Sequence, residues 1–218
     1  MFLSRLRVDP WNSKVHRDLA DAEQLHRTVM RGFPQHDGRD ARAAFGVLFR
    51  VEAQGPESVV LVQSAMTPAW EKLPEGYLLG HEVKPLDAFV EAIEDGRHLR
   101  FRLLANPTRK VADGSKAEGS GYNSRRKAIL DEDDRHGWLL RRAELAGFEF
   151  AGTGPQGGVR QERRPPLGRG GKSRQGLHVR PALFEGLLRV GDAERFREAL
   201  VAGIGPAKAY GCGLLSVG

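Results

Sequence analysis

The order of elements in the second half of this 218-residue chain is its tightest constraint on fold. Residues 99–106 alternate as a strand, and 134–146 carry Trp138, Leu139 and Leu145 at helical spacing. Residues 148–151 and 182–190 read as strands, Asp192 caps a helix through Phe196, Ala199 and Leu200, and 212–217 make a terminal strand. Strand, helix, strand, strand, helix, strand is the split βαβ, or ferredoxin-like, order. The first half shows it less fully. A strand over 2–8 and a loop over 9–12 precede a helix whose capping box is Asp21 with Gln24 and whose apolar stripe is Ala22, Leu25, Val29 and Phe33, ended by Gly32 and Pro34. Strands over 45–52 and 58–64 follow, joined by a hairpin loop, then weaker signals for a strand at 77–79 and a helix at 87–94. The expected fold is α+β, two tandem ferredoxin-like (βαββαβ, RRM-like) domains over 1–96 and 97–218, with 106–125 and 152–178 as long stretches without structure of their own.

Charge is segregated. The chain has 34 Lys and Arg against 28 Asp and Glu, a net +6. The excess collects in two glycine-bearing loops of the second half. One carries Arg102, Arg109, Lys110, Lys116, Arg125, Arg126 and Lys127; the other carries Arg160, Arg163, Arg164, Lys172 and Arg174. A merely solvated surface intersperses its charges, so the two loops point to a polyanion whose phosphates they track. The single Cys212 excludes an internal disulfide and a cysteine-based zinc site, and the remaining histidines show no metal-ligand spacing. No metal and no cofactor is expected. No apolar run has the length of a signal peptide or a membrane span, so a soluble cytoplasmic protein with no membrane partner is expected.

The most specific motif lies near the C-terminus. Gly203-Ile204-Gly205 and Gly211-Cys212-Gly213 flank five residues with Lys208 in the middle. Paired glycines permit a close turn and can present amides to phosphate, while Lys208 adds charge. The loop follows a helix and precedes a strand, the reverse of a dinucleotide fingerprint. A plain helix-to-strand connection with no ligand is the other reading of the same pattern.

This C-terminal signature resembles that of the repeat-associated RNA-binding superfamily. Together with Leu183-Phe184-Glu185-Gly186, Phe2-Leu3-Ser4-Arg5-Leu6, Leu25-His26-Arg27, Leu61-Val62-Gln63-Ser64 and Phe101-Arg102-Leu103-Leu104-Ala105-Asn106-Pro107, it is similar to the CasE family of type I-E CRISPR RNA-processing endoribonucleases over the whole chain. The resemblance implies metal-independent cleavage of precursor RNA 3′ of the repeat stem-loop. It also implies retention of the product within a surveillance complex whose other subunits are partners, and a catalytic role for His26. Without the resemblance, a lone helical histidine beside an arginine is an ordinary surface or packing residue. Arg27 and Arg31 become candidates for the scissile phosphate. One departure stands out: where the family often has tyrosine one turn before the histidine, this chain has Glu23, which can orient His26 or raise its pKa. Tyr122 is a candidate replacement. A non-catalytic RNA-hairpin-binding subunit is the alternative, and a small-molecule-binding ferredoxin-like module fits the arginine-rich loops poorly.

Overall fold

The computed structural model describes residues 1–38, 40–54, 57–116, 122–165, 167–170 and 177–218, with side chains described outside 53–57, 113–125 and 166–178. The first half runs β1 (Phe2–Val8), α1 (Ser13–Ala20), α2 (Ala22–Met30), α3 (Ala41–Ala44), β2 (Leu48–Gln54), β3 (Glu57–Ser64), β4 (Leu78–Pro85) and α4 (Asp87–Glu91). The second runs β5 (His98–Ala105), β6 (Thr108–Lys116), β7 (Tyr122–Ala128), α5 (Glu132–Leu145), β8 (Phe148–Phe150), β9 (Arg160–Arg163), β10 (Leu167–Gly170), β11 (Leu177–Val179), β12 (Ala182–Val190), α6 (Ala193–Ala202) and β13 (Leu215–Val217).

Two antiparallel sheets form, ordered β2-β3-β1-β4 and β13-β5-β12-β8. In both, the chain's first strand lies between its fourth and third, which is the ferredoxin-like order, so the tandem fold expected from the sequence is the fold observed. Alternation explains the strands: Ser4, Leu6 and Val8 of β1 all point inward and are buried. One core holds Leu6, Leu25, Val29, Phe33, Phe49, Trp70 and Tyr77; the other holds Leu103, Trp138, Leu139, Phe148, Phe184, Leu188 and Phe196. The whole α2 stripe of Ala22, Leu25 and Val29, with Phe33 beyond the helix, is buried as its period requires.

Several local readings needed correction. Helix α1 was not anticipated, because its buried face is centred on a carboxylate rather than an apolar stripe. Asp18 is fully enclosed and accepts hydrogen bonds from Thr28 Oγ1 (2.6 Å), Tyr77 OH (3.0 Å) and Lys14 Nζ (3.1 Å). Between β3 and β4 of the first unit a single 3-10 turn, Trp70–Lys72, stands in place of a second crossover helix; it inserts Trp70, whose Nε1 donates to Ser4 Oγ at 3.0 Å. The stretch 106–125 is not structureless. β6 and β7 form a two-stranded ribbon whose strands show no apolar alternation, since neither face of such a ribbon must be buried. Within 152–178, β9 joins the edge of β12, and β10 pairs with β11.

Polar clamps join the sheets. Arg50 of β2, 2% exposed, donates to the carbonyls of Arg102 (3.2 Å) and Leu214 (3.0 Å), to Ser216 Oγ (3.0 Å) and to Glu52 (2.7 Å). Gln63 Nε2 of β3 donates to the Leu200 carbonyl of α6 at 2.7 Å.

Candidate active site

His26 sits on α2, which starts where Asp21 Oδ1 accepts the Glu23 amide at 2.9 Å. Leu25 enters the core and Arg27 faces solvent, so position 26 falls at the boundary and its ring is partly buried. The ring lies on Phe49 of β2, centroids 6.2 Å apart and planes 18° from parallel. Its Nδ1 is buried and finds no hydrogen-bond partner among the described residues. Burial, then the charge of Arg42, holds the imidazole below its ordinary pKa; Asp40 opposes, Arg27 lowers further and Glu23 opposes last. Protonation of the ring is thus disfavoured by packing first and by arginine second.

Glu23 does not serve His26 in the way its position suggests. Its Oε1 accepts from Arg27 Nη2 at 2.5 Å, one helical turn on, and its pull on the imidazole is the weakest of the five influences. The Tyr122 side chain lies outside the described residues, so its candidacy stays as the sequence left it.

The C-terminal glycine loop supports this histidine from behind. The turn Lys208–Tyr210 packs on α2 and on β2. Gly211 has φ +79°, and a Cβ there would come within 3.3 Å of the Phe49 ring on which His26 rests. Gly203 has φ +75°, with the Leu48 side chain 2.8 Å from where a Cβ would stand. The expectation that these amides meet phosphate is not how they are used. Gly203 donates to Ala199 O (2.8 Å), Gly211 to Lys208 O (3.3 Å) and Gly213 to Leu104 O (2.7 Å), while Gly213 O accepts from Ile204 N (2.9 Å). Close packing has taken them for the fold. Gly205, φ +81°, lies against Trp138.

The expected cations fall into three groups. Arg31 caps the C-terminus of α2 and is exposed, beside Arg27 on the face of His26's helix. Arg109, Lys110, Arg126 and Lys127 stand on the β6–β7 ribbon, where register sets Arg109 opposite Lys127 and Lys110 opposite Arg126. Like charges opposed across a ladder repel. Arg160 and Arg163 lie exposed on β9, and Arg164 pairs with Glu162 at 3.3 Å at the rim of a cleft lined by Leu25, Phe49 and Tyr210. Arg102 is committed to carboxylates: its Nη1 lies 3.0 Å from Glu52 Oε2, and its Nε lies 3.2 Å from Glu185 Oε1 without directing its hydrogen there. Lys116 and Arg125 lie on the backbone of the ribbon with side chains outside the described residues, and Lys172 and Arg174 lie outside them altogether.

Two residues near His26 carried no mark in the sequence. Phe49 reads as an ordinary core strand residue. Arg42, on the short α3, is recognisable only through the Asp40 cap that starts its helix, where Asp40 Oδ1 accepts the Ala43 amide at 3.0 Å. Among the described residues no group of three His, Cys, Asp or Glu side chains is arranged to hold a metal, and no helix is long and apolar enough to cross a membrane.

The family model described as CRISPR associated protein matches residues 1–218. The CRISPR-associated endoribonuclease Cse3 of Thermus thermophilus is 36% identical over 226 residues, covering 100% of this chain and 99% of that protein. The CRISPR system Cascade subunit CasE of Escherichia coli K12 is 31% identical over 201 residues, covering 90% and 92%. The structure of Thermus thermophilus Cse3 bound to an RNA representing a pre-cleavage complex superposes with a TM-score of 0.79 at 34% identity, over 100% of this chain and 98% of that one. Sequence and fold agree, and the chain belongs to the CRISPR-associated protein family of Cse3 and CasE.

Proposed function

We propose that this chain is an endoribonuclease that cuts CRISPR precursor RNA 3′ of the repeat stem-loop, without metal, and keeps the mature guide RNA within a surveillance complex in the cytoplasm. Residues 1–96 carry the chemistry, and residues 97–218 supply most of the cations that grip the RNA. The observation that carries this reading is His26: a half-buried imidazole whose protonation is disfavoured by burial and by Arg42, with Arg27 and Arg31 on the same helix. In the cut, the 2′-OH attacks the adjacent phosphorus, the P–O5′ bond breaks, and the products are a 2′,3′-cyclic phosphate and a 5′-OH. With Nδ1 enclosed, His26 Nε2 is the nitrogen left to exchange a proton with the RNA. Arg27 and Arg31 offset charge at the phosphorane. The names of the relatives, an endoribonuclease and a Cascade subunit, support both activity and assembly.

A non-catalytic hairpin-binding subunit is the second reading, favoured by Glu23, which stands where an aromatic helper is usual and is tied to Arg27. Incubating cognate repeat RNA in EDTA with wild type and His26→Ala separates the two. A nuclease loses about 10²–10⁴-fold in cleavage rate on His26→Ala with little change in RNA affinity, and a 2′-deoxy nucleotide at the cut abolishes cleavage. Cleavage that needs metal or survives either change refutes the mechanism.

A further inference from the structure

Arg42 lies between two sites. Its charge bears on His26 and on Lys208, and its side chain, 16% exposed, forms the inner wall of a hollow of about 410 Å³ that Arg126, Thr108, Asn106 and Lys208 also line. The three cations come from elements far apart in the chain: α3, the β6–β7 ribbon and the glycine loop. Each is held by a short contact. Arg42 Nη1 donates to Val47 O at 3.2 Å, Arg126 Nη1 to Thr108 Oγ1 at 3.3 Å, and Lys208 Nζ to Ala202 O at 2.6 Å. Folding has thus gathered three cations around one concave, largely apolar surface, where Arg42 disfavours the charge on Lys208. The Lys208 ammonium is pushed below its ordinary pKa by burial and then by Arg42 and Arg142. The carboxylate nearest Arg42 is Asp40, 3.6 Å away and itself 62% exposed on the rim. Convergent cations with neutral hydroxyl and amide groups among them, in a cavity of nucleotide size, match a phosphodiester.

We infer that the hollow between Arg42, Arg126 and Lys208 binds an RNA phosphodiester flanking the scissile one, with Arg42 as its innermost ligand. The inference rests on the reading of the chain as a repeat-RNA nuclease, and it adds a residue and a subsite that hold the strand against His26. The bridging position of Arg42 gives the subsite its use: one guanidinium anchors the neighbouring phosphate and adds to the burial that disfavours protonation of His26.

The test measures binding of cognate repeat RNA, blocked by a 2′-deoxy nucleotide at the cut, to wild type, Arg42→Lys and Arg42→Gln across a salt series. The same RNA is then used with one neutral methylphosphonate at each linkage flanking the cut in turn. Arg42→Gln is expected to weaken binding roughly tenfold and to lower the slope of log affinity against log salt by about one, while Arg42→Lys keeps the slope. One neutral linkage is expected to weaken wild type and to add nothing to Arg42→Gln. A wild-type slope in Arg42→Gln, a full neutral-linkage penalty surviving in that variant, or equal tolerance of neutral linkages at every flanking position in wild type each overturns the subsite. The last holds even if a variant misfolds. Wild type that binds as expected but leaves unblocked RNA intact refutes the nuclease reading and spares the subsite; normal cleavage with no dependence on Arg42 does the reverse.

Discussion

The two halves of the molecule share a sheet order and each buries one arginine, Arg50 in the first and Arg135 in the second, but they differ in where the rest of their basic charge collects. In the first, two charges are buried and fully engaged: Asp18 takes three donors in the core, and Arg50 spans the gap between the sheets with every arm of its guanidinium bonded. In the second, arginines and lysines stand on exposed ribbons, with Arg109 facing Lys127 and Lys110 facing Arg126. Buried charge that has found its partners fixes geometry, which is what the support of His26 requires. Exposed charge that faces its own kind stores repulsion that a polyanion relieves. In the proposed function, one half sets the site and the other recruits RNA to it.

The sharpest way to break this contrast is Arg50→Ala. Removing it leaves the Leu214 carbonyl without this donor and Glu52 with Arg102 alone at the inter-sheet boundary, and we expect a loss of ~3–5 kcal/mol of stability, read by urea denaturation. Arg50→Met, which restores volume without the bonds, should fall between that variant and wild type. If Arg50→Ala unfolds like wild type, the clamp between the sheets is not what holds them.

A smaller effect is expected on the ribbon. Replacing Arg109 and Lys127 together by alanine should weaken repeat-RNA binding on the order of tenfold and flatten its salt dependence by about two, leaving the cleavage rate at saturating protein unchanged. In the absence of RNA the same pair should be gained as stability, by ~0.2–1 kcal/mol at most, because a like-charged pair has been removed. Loss of stability instead would make the ribbon's charges structural.

The smallest effect is on pH dependence, and it sharpens the comparison at His26 itself. Its folded-state pKa lies below the ordinary 6.5, so between the two values the unfolded chain binds a proton that the folded chain refuses. This contribution to stability is therefore lost as pH falls through that window. If neutral His26 is needed, the acidic limb of the second-order single-turnover rate has its midpoint below 6.5, and Arg42→Gln moves that midpoint upward. A midpoint unmoved by Arg42→Gln would leave burial alone to keep the ring neutral.

Much of this was readable from the chain. Helices α2 and α6 announce themselves through caps at Asp21 and Asp192 and α5 through its apolar spacing, although the sequence signal placed the start of α5 two residues late because the Asp131 cap went unread. β1, β5 and β12 were legible through alternation. Helix α1 was hidden because Asp18 occupies the inward position that an apolar residue would mark, and its burial is possible only through Tyr77 and Thr28 from elsewhere. The β6–β7 ribbon was hidden because strands without a buried face need no alternation.

Sequence by itself determined most of the elements, the glycine loop and, through family resemblance, His26, since each is written in local pattern or in residue identity. Only tertiary structure decided what those residues do. Gly211 matters because Phe49 stands against it and His26 lies on Phe49. Arg42, Arg126 and Lys208 make one site because the sheets bring three distant segments together. Local periodicity is set by the geometry of a single element, whereas convergence is set by which strands pair, and no single segment of the chain carries that choice.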